Sequence, residues 1–546
     1  MSLTLSRINS SAATLTKNRT EGSITPVSGM CVTCVDGCIG MCEIGKSAYR
    51  GHEVIYPQPF GVITTASEKN YPVDYSHFNI MGTAVGAKGI EADSDKAIFP
   101  AVDLEVRFGH DNGLKFRLPI VIPGIGSTNI AKNNWEGLAI GTAIAGTGLT
   151  IGENVVGMDP ESVIKDGRVV DTVDLKRRVS LFMDNQRDGY GAIIVQANVE
   201  DTRLCIQEYA IEKLGVEVVE LKWGQGAKDI GGEIQVSSLE YAKFLKDRGY
   251  LVDPDPYNPI VEAAFESRAI SAFARHSRLG ATDLNSAEEV RESFMTSVAY
   301  LRKLGFSRIT LKTGAYDMEA LAMAIRFSAD AELDLLTIDG SGGGTGMSPW
   351  NMMQHWGIPS VALHSKAYEY CKILDEKGIK VPDISFAGGF AREDHLYKAL
   401  AMGAPFSKLV CMGRAPMIPG FLGSNIEGVF KPENRAHLHG HWESLPPAVK
   451  ELGKYPEEIF AGWEPVKEKV GKDEMKNIPY GAIAMYAFAD KLACGLQQFM
   501  AGARKFTLNE ITRNDIVAAN RETEEATGLA FMTDAKNDEA LKILNS

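Results

Sequence analysis

Short apolar segments, each ending in glycine or a polar residue, recur through the middle of this chain. Seven of them span residues 118–124, 190–196, 216–223, 307–314, 333–340, 383–389 and 407–413, and an eighth lies near 149–151. Apolar runs of this length, rich in β-branched side chains, are typical of strands buried on both faces. Helical patterns follow most of them, over 130–144, 202–214, 287–304, 317–329 and 393–403. Eight strand–helix units within about 300 residues predict an α/β fold, a (β/α)8 TIM barrel over residues 118–420.

The remaining segments have different compositions. We expect a polar tail with a cysteine-rich segment over 1–60 and, over 61–117, a segment with short strands that wraps the barrel. An insertion over 222–281 follows the fourth strand and carries helical patterns at 237–247 and 259–275. Strand patterns end after Gly420, and helical patterns at 446–466, 483–501 and 509–522 predict a C-terminal helical extension over 421–546. Long insertions after barrel strands usually form part of the wall of the active site.

Charge and hydropathy exclude several classes of partner. The 546 residues carry a formal net charge of −13, whereas nucleic acids and anionic membrane surfaces favour positive patches. No apolar run reaches the ~18 residues that a membrane-spanning helix needs. We therefore expect a cytoplasmic enzyme with a small-molecule substrate, with neither nucleic acid nor membrane as a partner.

Four of the eight cysteines are crowded near the N-terminus, at Cys31, Cys34, Cys38 and Cys42. Close spacing beside glycines suits metal ligation better than disulfides in a cytosolic protein. The spacing matches neither the paired CxxC of a zinc ribbon nor the ferredoxin run. Three interpretations stay open: a 4Fe-4S iron-sulfur cluster, a structural zinc site, and a redox-active or unligated set.

Polar residues and glycines stand at the carboxyl ends of the predicted strands, where a barrel gathers its catalytic groups. They are Gln196, Lys222, Gln225, Lys228, Lys312, Asp339, Gly388, Gly389, Gly413 and Arg414. The last four follow strands seven and eight, where barrels commonly bind a phosphate group with backbone N–H groups and a short helix. The Arg414 guanidinium is a suitable clamp for its oxygens.

Lys312 ends the fifth predicted strand, and a glycine-rich loop with Gly340, Ser341, Gly343 and Gly344 follows Asp339. A cation at such a position stabilises the reduced ring of a flavin. The alternative is a lysine paired with a neighbouring carboxylate. Glycines let backbone approach a flat or anionic ligand closely, although a loop that is merely tight would look the same. Gln196 either binds the pyrimidine ring or caps a loop.

Five motifs in the same order resemble the FMN-binding synthase domain of the glutamate synthase family. They are KWGQGAKDIGG (222–232), LKTGAYDMEALA (311–322), IDGSGGGTGMSP (338–349), FAGGFAREDHLYKALAMGA (386–404) and, more loosely, residues 126–157. The resemblance implies FMN, with Gln196, Lys312 and the Gly340 loop around its ring. It also implies that Gly388, Gly389 and Gly413 surround the phosphate. Lys222, Gln225 and Lys228 would bind 2-oxoglutarate and its imino adduct, and Glu153 would stand for the glutamate of the family's GEGG turn.

The chain also departs from the family pattern. No three-cysteine set follows the last strand, so we expect the N-terminal cysteines to serve as the electron relay. The start at Met1 and Ser2 lacks the nucleophilic cysteine of a glutaminase domain. The family's Ser-Arg pair reads Thr128 and Asn129, with Lys132 the nearby cation. These departures leave the substrate open.

The combined hypothesis is a glutamate synthase-like FMN oxidoreductase. It would move electrons between an iron-sulfur cluster and a small carboxylate, 2-oxo acid or imino acid, with ferredoxin or a partner subunit as electron partner and a homo-oligomer as the expected assembly. One alternative is a flavin and iron-sulfur electron-transfer subunit without substrate chemistry of its own. Another is a barrel that acts on a phosphosugar.

Overall fold

Eight parallel strands close into a barrel at the centre of the computed structural model, which describes residues 43–55, 71–226, 230–231, 233–341, 348–431 and 441–546. In chain order they are β1 (Ile120–Ile125), β2 (Gly148–Ile151), β3 (Ala192–Ala197), β4 (Val218–Lys222), β5 (Arg308–Thr313), β6 (Leu335–Asp339), β7 (Asp383–Ala387) and β8 (Ser407–Cys411). Each pairs with its neighbour in the chain, and β8 pairs with β1. The predicted (β/α)8 barrel is confirmed.

The N-terminal end of the barrel is closed by an antiparallel hairpin, Val106–Phe108 with Leu114–Phe116. Phe108 and Phe116 meet edge to face and pack, fully buried, among apolar side chains such as Val218 and Leu335 from the first residues of the barrel strands. Burial of two aromatic rings strongly favours this arrangement. The opening of the barrel therefore lies at the carboxyl ends of the strands.

Helices surround the strands much as the sequence predicts. Around the barrel and before it they span Glu43–Arg50, Asn129–Ala145, Val173–Met183, Val199–Arg203, Ile206–Leu214, Ala287–Leu304, Met318–Asp330, Trp350–His355, Ser360–Glu376, Glu393–Gly403 and Arg414–Phe430. The single helix predicted over 202–214 is wrong in one respect. It is two helices, because Cys205 adopts a left-handed backbone with φ of 57° and interrupts the first one.

The insertion after β4 contains an antiparallel sheet that the sequence did not predict. Its strands are Glu233–Val236, Leu251–Asp253 and Phe273–His276, in the order first, third, second. The helices Leu239–Asp247 and Pro259–Glu266 pack beside them around Phe273. The helix predicted over 259–275 is therefore wrong beyond Glu266, because residues 273–276 gain more from pairing with two other strands than from continuing a helix.

The chain after the barrel is mostly helical. Its helices are Pro447–Lys450, Pro456–Ile459, Trp463–Val470, Tyr480–Gly502, Arg521–Thr527 and Asn537–Leu544. The helix predicted over 509–522 is wrong in part, because Ile516–Ala518 is a strand paired with Phe78–Ile80. Two strands more than 400 positions apart in the sequence thus pair on the outside of the barrel.

The long helix Tyr480–Gly502 packs against the helices that follow β1 and β8. Glycines permit this close approach. A Cβ at Gly141 would lie 2.6 Å from the Cβ of Met485, and one at Gly423 would overlap the carbonyl oxygen of Tyr480. The extension is therefore held by backbone-to-backbone contact on the outside of the barrel. None of the helices in the described part of the chain is long and apolar enough to cross a membrane.

Candidate functional site

A buried ion pair lies at the carboxyl ends of β5 and β6. The Lys312 Nζ is 3.0 Å from Asp339 Oδ2, and the two side chains are only 6% and 12% exposed. Burial alone would lower the pKa of Lys312, but the carboxylate of Asp339, with contributions from Cys411 and Glu220, raises it above its ordinary value. Lys312 is therefore a cation held inside the mouth of the barrel.

Gln196 lies one layer deeper, on β3. Its Nε2 donates to Glu220 Oε1 on β4 at 2.5 Å, while its Oε1 is buried without a hydrogen-bond partner in the described part of the chain. A Cβ on Gly124 would lie 2.5 Å from that Oε1, so only glycine fits at this end of β1. A buried carbonyl oxygen without a donor costs free energy, which is recovered when a ligand N–H binds it.

Glu220 is a functional candidate that was not among the residues predicted at the strand ends. Its side chain is buried, and burial raises the pKa of the carboxyl above its ordinary value, against the opposing effect of Lys312. The signal was present in the strand itself. Residues two apart on a strand share a face, so Glu220 points to the same side as Lys222, which pairs in register with Lys312.

Lys222 forms a second polar group with Glu153 and Gln225. Its Nζ is 2.7 Å from Glu153 Oε1 and donates to Gln225 Oε1 at 2.7 Å. Residues predicted from two separate motifs, 222–232 and 126–157, therefore meet at the end of β4, beside the insertion. Lys228, the fourth member predicted for this group, lies outside the described residues.

A buried carboxyl supports the turn that carries Glu153, and sequence reasoning missed it. Asp201 accepts hydrogen bonds from the backbone N–H of Asn154 at 3.0 and 3.1 Å and from that of Asn198 at 3.2 Å. Burial raises the pKa of Asp201 to about 7, and Glu153 adds to the rise. Asp201 is therefore a proton-binding group next to Lys222 and Glu153, and only the fold brings it there.

Open backbone follows β7. Gly388 and Gly389 have φ angles of 133° and 101°, which other residues rarely adopt. A Cβ at Gly388 would overlap Ser360 Oγ, whereas one at Gly389 would meet none of the described residues within 4 Å. The Ser360 hydroxyl bridges the carbonyl oxygens of Ser341 and Gly388 at 3.1 and 3.0 Å, and Gly340 packs on the same serine. The ends of β6 and β7 are thus held together, with free space beside Gly389.

The chain after β8 supplies a cation and a helix N-terminus. Gly413 caps the 17-residue helix Arg414–Phe430 without a side-chain hydrogen bond. The Nη1 of Arg414 is buried and has no hydrogen-bond partner among the described residues, and burial lowers the pKa of its guanidinium. Because β7 and β8 are neighbours, this donor and the open backbone at Gly389 lie at adjacent strand ends. Together they suit the oxygens of a phosphate group.

Several predicted residues are not brought into this arrangement or lie outside the described ranges. Lys132 is engaged by the buried carboxylate of Asp159 at 3.2 Å, and Thr128 caps its own helix. Gly343 and Gly344 lie outside the described residues, as do Cys31, Cys34, Cys38 and Cys42. Within the ranges that the structure describes, no three His, Cys, Asp or Glu side chains are grouped to hold a metal ion.

Comparisons with known proteins give one match of sequence. Residues 281–420 match the family model described as the conserved region in glutamate synthase, a stretch that contains β5 to β8. No curated protein sequence matches the chain significantly. The predicted resemblance is confirmed over these residues.

Similar solved structures share little sequence with the chain. A mutant flavocytochrome b2 with pyruvate bound is 12% identical, with a TM-score of 0.45 and 92% of each chain covered. The flavin-binding domain of baker's yeast flavocytochrome b2 is 13% identical, with a TM-score of 0.43, covering 85% of this chain and 81% of that one. A mutant of (S)-mandelate dehydrogenase is 13% identical, with a TM-score of 0.40 and 81% and 88% covered. Nothing about the site follows from likeness at this level.

Proposed function

From the premise that residues 281–420 carry the conserved region of glutamate synthase, we propose that the chain is an FMN-dependent oxidoreductase of glutamate synthase type. It moves electrons between an iron-sulfur cluster and a small carboxylate, 2-oxo acid or imino acid. The observation that carries the proposal is the ring of polar groups at six neighbouring strand ends, β3 to β8. It combines a buried cation, an amide oxygen without a partner among the described residues and a candidate phosphate cradle in one barrel mouth.

The described residues fit FMN on two independent observations. The buried Oε1 of Gln196, an acceptor, and the buried Nη1 of Arg414, a donor, both lack hydrogen-bond partners among the described residues. The space beside Gly389 would be filled by any Cβ. Gln196 and Lys312, with Asp339, Gly340 and Ser341, would hold the flavin ring, and Gly388, Gly389, Gly413 and Arg414 would hold its phosphate. The assignment of Gly343 and Gly344 to the flavin ring rests on the sequence motif alone.

FMN, when bound, supplies the hydride and electron transfer of the reaction. The protein supplies charge and position. Lys312, which is buried from water, would stabilise negative charge on the ring. Lys222 and Gln225 would bind a substrate carboxylate, with Lys228 assigned to the same task from its motif. Glu153 would accept a hydrogen bond from a substrate amino or imino nitrogen, because its carboxylate already faces Lys222.

The remaining parts of the proposal rest on the sequence. Cys31, Cys34, Cys38 and Cys42 would ligate a 4Fe-4S cluster that exchanges electrons with the flavin. Ferredoxin or a partner subunit would be the external electron partner, and a cytoplasmic homo-oligomer the working form. The transfer of electrons between the substrate and the flavin does not depend on these assignments.

The experiment is reduction of the bound flavin under anaerobic conditions, monitored through the loss of its visible absorbance. Candidate amino acids and 2-hydroxy acids, which are the reduced forms of imino and 2-oxo acids, are added singly to the purified protein. The proposal expects at least one to bleach the flavin in the native chain, and expects Lys222→Met to raise the concentration needed while leaving the flavin bound. Lys176→Met, which removes an exposed lysine from the helix Val173–Met183, is the control and should behave as the native chain.

One outcome would contradict the substrate chemistry. It is a flavin that accepts electrons from a reduced ferredoxin or dithionite but from no amino acid or 2-hydroxy acid, and that, once reduced, is reoxidised by no imino or 2-oxo acid. The chain would then be an electron-transfer subunit.

A further inference from the structure

Lys312 forms an ion pair with a carboxylate of the barrel itself. Asp339 stands at the last position of β6 and Lys312 at the next-to-last position of β5, and the two strands pair directly. Their 3.0 Å contact leaves each side chain at least 88% buried. The pair as a unit is neutral, so the cation that the flavin ring would meet is already largely compensated.

Other titratable groups face the same pair. Glu220 on β4 and Cys411 on β8 both act on Lys312, and Glu220 is bonded to Gln196. Asp339 also interacts electrostatically with Arg414, at the start of the helix after β8. Asp339 therefore acts on both cations, Lys312 and Arg414, and it contacts Lys312 directly.

We propose that Asp339 sets the reduction potential of the bound flavin by neutralising Lys312. This inference rests on the proposed FMN site and adds a positioning and tuning residue to it. Two-electron reduction with uptake of one proton converts the oxidised ring into its anionic form, so one negative charge appears beside Lys312. A carboxylate 3.0 Å from that lysine opposes the new charge and keeps the potential low.

Removal of the carboxylate reverses this effect. Asp339→Asn keeps the shape and can still accept a hydrogen bond from Lys312, but the lysine then offers its full charge to the ring. Lys312→Met removes the cation instead and should lower the potential. In the Lys312→Met background the buried Asp339 loses its partner and takes up a proton, because an isolated buried carboxylate is costly. Adding Asp339→Asn to Lys312→Met should therefore change little.

The test is the midpoint potential of the flavin, measured by anaerobic equilibration with a reference dye for the native chain, both single variants and the double variant. At a fixed potential we expect Asp339→Asn to raise the ratio of reduced to oxidised flavin at least tenfold, which is about 30 mV for a two-electron couple. Asp339→Glu should return the value toward that of the native chain. The control is Asp383→Asn, which removes a largely buried carboxylate from the opposite end of β7, where it binds the Gly109 N–H. It should leave the potential unchanged.

The outcomes separate this inference from the proposed function. A native chain that binds no FMN, even after reconstitution, overturns both. Bound FMN whose potential is unchanged or lowered in Asp339→Asn overturns the tuning role and leaves the site standing. The same holds if Asp339→Asn raises the potential equally with and without Lys312. If Asp339→Asn loses its flavin, Asp339→Ser supplies the same measurement.

Discussion

Gly389 offers the sharpest test of where the phosphate of FMN binds. Its φ of 101°, and the absence of any atom of the described residues within 4 Å of the point where a Cβ would stand, mark open backbone at the end of β7. Gly389→Asp should abolish tight FMN binding and leave the fold intact. The new carboxylate would occupy the space proposed for the phosphate oxygens and would repel them.

The expected magnitude follows from simple electrostatics. Two like charges about 4 Å apart, at an effective dielectric constant of 20, repel by about 4 kcal/mol. This corresponds to roughly a thousandfold loss of affinity. Backbone strain from a side chain at positive φ adds about 1–3 kcal/mol to the cost of folding, independent of any ligand.

The assay compares FMN with riboflavin, which has the same ring and no phosphate, by quenching of flavin fluorescence. Native protein should prefer FMN strongly, and in Gly389→Asp the two affinities should become similar. Gly86→Asp is the matched control for strain. Gly86 has φ of 86° and open space around its Cβ, but it lies in the segment that contacts the end of the helix Tyr480–Gly502. An unchanged preference for FMN in Gly389→Asp would refute the cradle.

Three further predictions address protonation, packing and the cysteines. Because burial raises the pKa of Asp201 from 3.8 to about 7, its contribution to stability is present below pH 3.8 and is lost as pH rises through 7. The free energy of unfolding of Asp201→Asn, measured by urea titration at each pH, should therefore rise relative to that of the native chain between pH 4 and pH 8, by about 4 kcal/mol at most. A difference in the free energy of unfolding that does not change with pH would contradict this. Gly141→Ala should lower the melting temperature, because its Cβ would lie 2.6 Å from that of Met485, whereas Gly420→Ala, with open space, should not; equal effects would contradict the packing. Cys34→Ser should remove iron-sulfur absorbance and block flavin reduction by a one-electron donor while FMN stays bound, and metal analysis that finds zinc without iron would refute the relay.

The barrel strands were predictable because burial on both faces produces continuous apolar runs with a definite end. Once eight such runs are placed in one barrel, Lys312 and Lys222 must face the same opening, and the structure pairs them in register. The ion pair of Lys312 was foreseen only as an alternative, because a sequence does not show which carboxylate reaches a buried lysine. Glu220 was readable from the alternation of β4 but was hidden among apolar neighbours.

Other features depend on long-range contact and leave almost no local pattern. The strand Ile516–Ala518 exists because Phe78–Ile80 pairs with it from the other end of the chain. The short strand Leu251–Asp253 depends in the same way on Phe273–His276. Asp201 shows only a capping pattern with Asn198, whereas its bond to Asn154 is a product of the fold. Such residues become visible only when the chain is folded.

The central claim is that the mouth of this barrel holds FMN, and the visible absorbance spectrum of the purified chain tests it most directly. Acid treatment of protein purified without oxygen should release one FMN per chain. Chromatography identifies the released flavin as FMN by its phosphate. The intact protein should show the bands of oxidised flavin above a broad iron-sulfur shoulder. A visible spectrum that is featureless, and that is still featureless after incubation with FMN and removal of the unbound FMN, would contradict the account.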